Sequence, residues 1–132
     1  MSTTAAERLA ALVLAVEGLG LFALAGWEIV ALVSGDSESA ASSIALIVLT
    51  VVGALAVAAF SVAVWRGASW GRSGGIVTQL LMLAVAGGAL TGTDAQPAFA
   101  LGLAVPAVVG FIALVAAARA AGRRLRAADA AD

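Results

Sequence analysis

From residue 9 to residue 33 the chain is apolar at nearly every position, interrupted by two carboxylates, Glu17 and Glu28. At about 1.5 Å per helical residue such a run crosses roughly 30 Å of bilayer hydrocarbon. A carboxylate near the bilayer centre costs on the order of 3 kcal/mol when it faces lipid. Glu17 and Glu28 are about three helical turns apart and therefore share one face. That face is expected to look at other protein, with the remaining helices there to meet it.

Composition extends the argument to the whole chain. Of 132 residues, 63% are hydrophobic and 11% charged, whereas soluble domains carry about 25% charge. A chain this apolar is expected to have lipid as its main solvent. Four spans of about 20–25 residues with short loops would use the full length, leaving no extramembrane domain. The expected fold is a single all-α domain, an up-down bundle of four transmembrane helices. Cysteine, histidine, tyrosine and lysine are absent. Their absence excludes disulfides, thiolate or imidazole metal sites, histidine-ligated haem and Ser-His or Cys-His nucleophiles. Neither a cofactor nor a metal is expected, and the chain does not read as an enzyme.

The spans are expected at about 9–33, 41–65, 74–92 and 98–118, with a basic tail over 119–132. Ala23-Leu24-Ala25 mimics a signal-peptide cleavage site. Glu17 would interrupt the apolar core of such a peptide, however, and hydrophobicity runs on to Val33, so a retained span is the preferred reading. A short acidic turn, Ser34 to Ser39 with Asp36 and Glu38, separates spans one and two. On span two, Gly53, Val57 and Ser61 recur every four residues, a small-residue stripe suited to close helix contact. The connection Trp65-Arg66-Gly67-Ala68-Ser69-Trp70-Gly71-Arg72 reads as a structured loop with Trp65, Arg66 and Trp70 as interfacial anchors. Gly102, Pro106 and Gly110 share four-residue spacing on span four, where Pro106 should kink the helix. Pro97 is placed to begin that helix.

Arg8, Arg66, Arg72 and the tail arginines Arg119, Arg123, Arg124 and Arg126 are the only basic residues, and all fall on one side of the four spans. The positive-inside rule then puts both termini in the cytoplasm. The tail arginines are further expected to meet anionic headgroups, at about 1 kcal/mol each, although fixing topology is by itself a sufficient reason for them.

The polar residues at bilayer depth form one expected cluster: Glu17 on span one, Ser61 on span two, and Thr78 and Gln79 on span three, with Arg72 able to reach inward from the interface. A protonated Glu17 would donate to Gln79 or Ser61, whereas contact with Arg72 would leave it ionised; the sequence leaves both open. Glu17 reads either as a protonatable coupling site or, preferably, as a polar clamp that sets helix packing. Glu28, beside Trp27 near the outer end, reads as an interfacial acidic residue that snorkels to water. Gly18-Leu19-Gly20 and Gly74-Gly75 are not phosphate loops, because no strand precedes them and no Gly-Lys-Ser/Thr follows. No nucleic-acid signature is present.

Three segments carry a resemblance: Val16-Glu17-Gly18-Leu19, Ser69-Trp70-Gly71-Arg72 leading to Thr78-Gln79-Leu80, and Leu103-Ala104-Val105-Pro106-Ala107. Together they resemble a group of small four-span integral membrane proteins common in actinobacteria. The chain departs from that pattern at Ser73-Gly74-Gly75, where a proline ordinarily follows the Trp-x-Arg segment. The resemblance implies a bacterial inner-membrane location and no activity. In architecture the chain is also similar to small multidrug-resistance transporters, whose first span carries an essential glutamate placed like Glu17. The aromatic residues those proteins use around the substrate are missing here, so this match is to fold alone.

The expected function is non-enzymatic. The protein is read as acting by helix association, as a homo-oligomer or an accessory subunit of a larger membrane complex. The alternative is a proton-coupled transporter of small apolar cations with Glu17 as its exchange site. A lipid-acting enzyme is a distant third, since Glu17 and arginines alone make a poor catalytic set.

Overall fold

The computed structural model describes residues 3–36, 39–91 and 94–131; Glu38 of the acidic turn, Gly92 at the expected end of span three, and Asp132 lie outside them. The described residues form four helices: α1 (Ala5–Val33), α2 (Ala40–Trp65), α3 (Ser69–Thr91) and α4 (Pro97–Asp129). All four are long and apolar enough to cross a membrane.

Local chemistry sets the boundaries. α1 begins at Ala5 rather than at residue 9 because Thr4 and Glu7 form a capping box. The Thr4 hydroxyl accepts from Glu7 N–H, and the Glu7 carboxylate accepts from Thr4 N–H at 2.8 Å. α1 ends where Gly35 takes φ +78°, with Gly35 N–H reaching Leu32 O and Asp36 N–H reaching Ala31 O. The same Schellman closure ends α2: Gly67 has φ +75°, and N–H groups of Gly67 and Ala68 reach Val64 O and Ala63 O. Both positions need glycine because the left-handed region penalises a Cβ.

The turn between α2 and α3 is therefore only three residues, 66–68, and the expected loop through Arg72 is corrected. Ser69 to Ser73 form the opening of α3, which starts well before residue 74. Gly71 makes this possible, since a Cβ there would lie 2.5 Å from Ala63 Cβ and 2.8 Å from Val64 N. At the other end of the chain, 119–129 is helix rather than an extended tail. Alanine, leucine and arginine are strong helix formers, and α4 runs on without interruption through Pro106 as well.

Thr50 sits opposite Glu28 and Ser61 opposite Ala11, so α2 runs antiparallel to α1. Glu7 meets both Arg72 and Arg124, so the starts of α1 and α3 and the end of α4 gather at one end of an up-down bundle. The helices pack in cyclic order, α1 on α2 and α3 on α4 most extensively, with α1 and α3 across a diagonal. The larger buried side chains concentrate at the Glu7 end: Leu14, Val57, Val64 and Leu114, with Ala10, Ala11, Ala113 and Ala117. Gly75 fits between Leu114 and Leu14, where a Cβ would come within 3.0 and 3.2 Å of them. The opposite half is closed mainly by small residues, among them Ala25, Ala86 and Ala100. Leucines, valines and isoleucines on the outer faces are exposed along all four helices, which are long and apolar enough to cross a membrane.

Candidate functional site

Two polar links cross the bundle diagonal from α1 to α3. In the deeper one, Gln79 Nε2 donates to Glu17 Oε2 at 2.6 Å. Gln79 is fully buried, and Gly110 of α4 lies against its amide: an added Cβ would sit 2.8 Å from Gln79 Cδ and 2.9 Å from Nε2. The helix-to-helix approach at Gly110 thus holds the amide against Glu17. Glu17 Oε1 and Gln79 Oε1 are buried without a hydrogen-bond partner among the described residues. The pair is half satisfied, and each orphaned oxygen in a low-dielectric interior is costly.

The second link lies at the end of the bundle and was not expected from sequence. Glu7 is fully buried, yet it receives Arg72 Nη1 at 3.3 Å, Arg124 Nη2 at 2.7 Å, and both the hydroxyl and N–H of Thr4. Arg72 also donates to Gly67 O at 2.9 Å, which ties the α2–α3 turn to the same carboxylate. One acid therefore joins the first turn of α1, the start of α3 and the last turns of α4. The sequence signal was present: Thr4-x-x-Glu7 is a capping box, and Glu7 continues the α1 face that carries Ala10, Ala11, Leu14 and Gly18.

The expected five-residue cluster is divided. Only Glu17 and Gln79 meet. Arg72 turns to Glu7. Thr78 donates to Gly74 O within its own helix at 3.0 Å, as threonines commonly do in spans. Ser61 donates to Ala11 O at 2.8 Å, pinning α2 to α1 one and a half turns from Glu17. Ser61→Ala is expected to cost about 0.6 kcal/mol, the average for hydrogen bonds between membrane helices, read as a small shift of the unfolding midpoint in mixed micelles. The small-residue stripes also divide: Val57, Ser61 and Gly110 face protein, whereas nothing lies within 4 Å of a Cβ built at Gly53 or Gly102.

Glu28 turns toward α2. It accepts from Thr50 Oγ1 at 3.1 Å, and its Oε2 is buried without a partner among the described residues. Glu17 and Glu28 thus share a face of α1 but meet different helices, α3 at one depth and α2 at the other. Trp65, Arg66 and Trp70 are exposed around the α2–α3 turn, and Trp70 packs edge-on against Phe60 with ring centroids 5.9 Å apart. Between α2 and α3 an apolar groove of about 650 Å³ opens sideways, walled by Gly53, Ala56, Gly74 and Val77 and floored by Leu21 and Leu103. Among the described residues no group of three or more acidic side chains is placed to hold a metal ion.

No protein-family model matches the chain, and neither a curated protein nor a solved structure does.

Proposed function

We propose that the protein is a non-enzymatic, multi-pass protein of the bacterial inner membrane, with both termini cytoplasmic, that works by helix association as a homo-oligomer or an accessory subunit. The observation that carries this reading is the α2–α3 groove. It is apolar, laterally open and walled partly by glycine and alanine, the residues that let a neighbouring backbone approach closely in lipid. The placement of all seven arginines supports the orientation.

Gentle extraction from the native membrane followed by native mass measurement tests it. The expected result is a reproducible assembly, either of this chain alone or with a stoichiometric second membrane protein. Gly53→Leu together with Ala56→Leu should fill the groove, leave the monomer folded, since space is open at Gly53, and release the partner. A monomer with no partner, or an assembly indifferent to the filled groove, overturns the reading.

One observation favours a second reading, proton-coupled transport through Glu17. A protonated Glu17 carries an O–H donor, and the buried Gln79 Oε1 beside it is an acceptor with no donor. Glu17→Gln separates the readings. Proton-driven flux into vesicles is abolished by it if Glu17 is the exchange site. If Glu17 is a clamp, Gln is tolerated, while Leu costs about 1–3 kcal/mol by stranding Gln79 Nε2.

A further inference from the structure

The arginines of α4 do not form one group. Arg124 is turned inward to Glu7. Arg119, Arg123 and Arg126 follow i, i+4, i+7 spacing, so they share one face of the helix, roughly 100° or more away from Arg124. Among the described residues no carboxylate pairs with any of these three. The same face is apolar in the preceding turns, where Ile112 and Val115 lead directly to Arg119. Two adjoining depressions follow this transition, of about 460 and 590 Å³, sharing Val115, Arg119 and Arg123. Ile76 of α3 forms the far wall of the second, and Arg126 closes it.

We propose that this face binds one anionic phospholipid, its phosphate between Arg119 and Arg123 and an acyl chain along Val115 and Ile112 beside Ile76. Depth and charge both argue for this occupant. Counting about 20 residues of hydrocarbon from the start of α4 places Arg119 at the hydrocarbon edge and Arg123 one turn further out, at phosphate depth. Guanidiniums fork onto phosphate oxygens in bidentate geometry, and Arg119 and Arg123, one turn apart with no carboxylate paired to either among the described residues, call for an anion. A soluble anion would use the arginines but not the apolar approach to them. A lipid uses both. The site is independent of the α2–α3 groove and does not rest on the association reading.

The test is native mass spectrometry of the full chain released from nanodiscs of phosphatidylcholine with a minor share of phosphatidylglycerol. The expected result is retained phosphatidylglycerol well above its supplied fraction. At about fivefold per arginine near the surface, Arg119→Gln with Arg123→Gln should lower that enrichment roughly 25-fold. Arg8→Gln with Arg66→Gln removes the same charge elsewhere and should leave the enrichment in place. Glycerol phosphate, which lacks the acyl chain, should not displace the lipid. Absence of enrichment in the wild-type protein overturns the proposal without recourse to any variant. Equal loss from both arginine pairs overturns it in favour of diffuse charge, and displacement by glycerol phosphate overturns it in favour of a soluble anion.

Discussion

Glu7→Gln is expected to lower the stability of the bundle by about 2–4 kcal/mol, the largest effect of any single polar substitution in the chain. Removing one partner of a buried ion pair ordinarily costs about 3–5 kcal/mol because the other charge is left without compensation. Here two guanidiniums are left. Their side chains are 13% exposed for Arg72 and 33% for Arg124, so water recovers part of the loss and the lower range applies. Three helices lose a common anchor at once, and the capping box loses its charge. Unfolding in detergent mixtures of increasing sodium dodecyl sulfate fraction reads the change directly. Adding Arg72→Met to Glu7→Gln should restore part of the stability, since the more deeply buried unpaired charge is then gone. Arg8→Gln, whose Arg8 is exposed and whose side chain among the described residues bonds to Thr3, should stay within about 0.5 kcal/mol of the parent. A Glu7→Gln protein as stable as its parent would show that the triad is not what holds this end of the bundle.

Gly110→Ala is expected to cost about 2–3 kcal/mol, large for a single methyl group. The added Cβ would fall 2.8–3.0 Å from the Gln79 amide, and because Gln79 is fully buried and bonded to Glu17, the amide gives way at the expense of that bond. Overpacking and the lost Glu17 hydrogen bond then act together. The diagnostic is non-additivity. With Gln79→Ala in place the amide is gone, and Gly110→Ala should cost little, so the double-mutant cycle should show an interaction of about 1–2 kcal/mol. Gly102→Ala, one further helical stretch away and facing open space, serves as the control. A Gly110→Ala penalty that persists unchanged without Gln79 would place the clash elsewhere.

Much of the candidate site was legible in the amino-acid chain, but only where depth alone decides. Glu17 had to face protein because of what a lipid-exposed carboxylate costs, and Gln79 stood out as a polar group at comparable depth on a helix entering from the same side. The structure joins these two. Depth said nothing of azimuth, so Ser61 and Thr78, which lie near the same level, were grouped with them although one bonds to an α1 carbonyl and the other to its own helix. For the same reason depth alone did not tell whether Arg72 would reach Glu7 or Glu17. Glu7 lies ahead of the apolar run, where hydropathy carries no information, but Thr4-x-x-Glu7 holds the capping signal that extends α1 by a turn. The helical end of α4 was likewise obscured, because a basic, alanine-rich segment beyond a span reads equally as tail or as helix.

What the sequence by itself determined is the number of apolar helices, their approximate bounds, the exclusion of thiol and imidazole chemistry, and the inward turn of Glu17. All of these follow from quantities summed along one segment: hydropathy, length, and the cost of a charge in lipid. Tertiary structure alone decided which partner each polar side chain takes. Glu17 and Glu28 share a helix face, yet one is met by Gln79 and the other by Thr50, because neighbours change with depth along α1. Arg124 and Arg123 are adjacent in the chain, yet one closes the core on Glu7 while the other faces outward, because successive helical residues point about 100° apart.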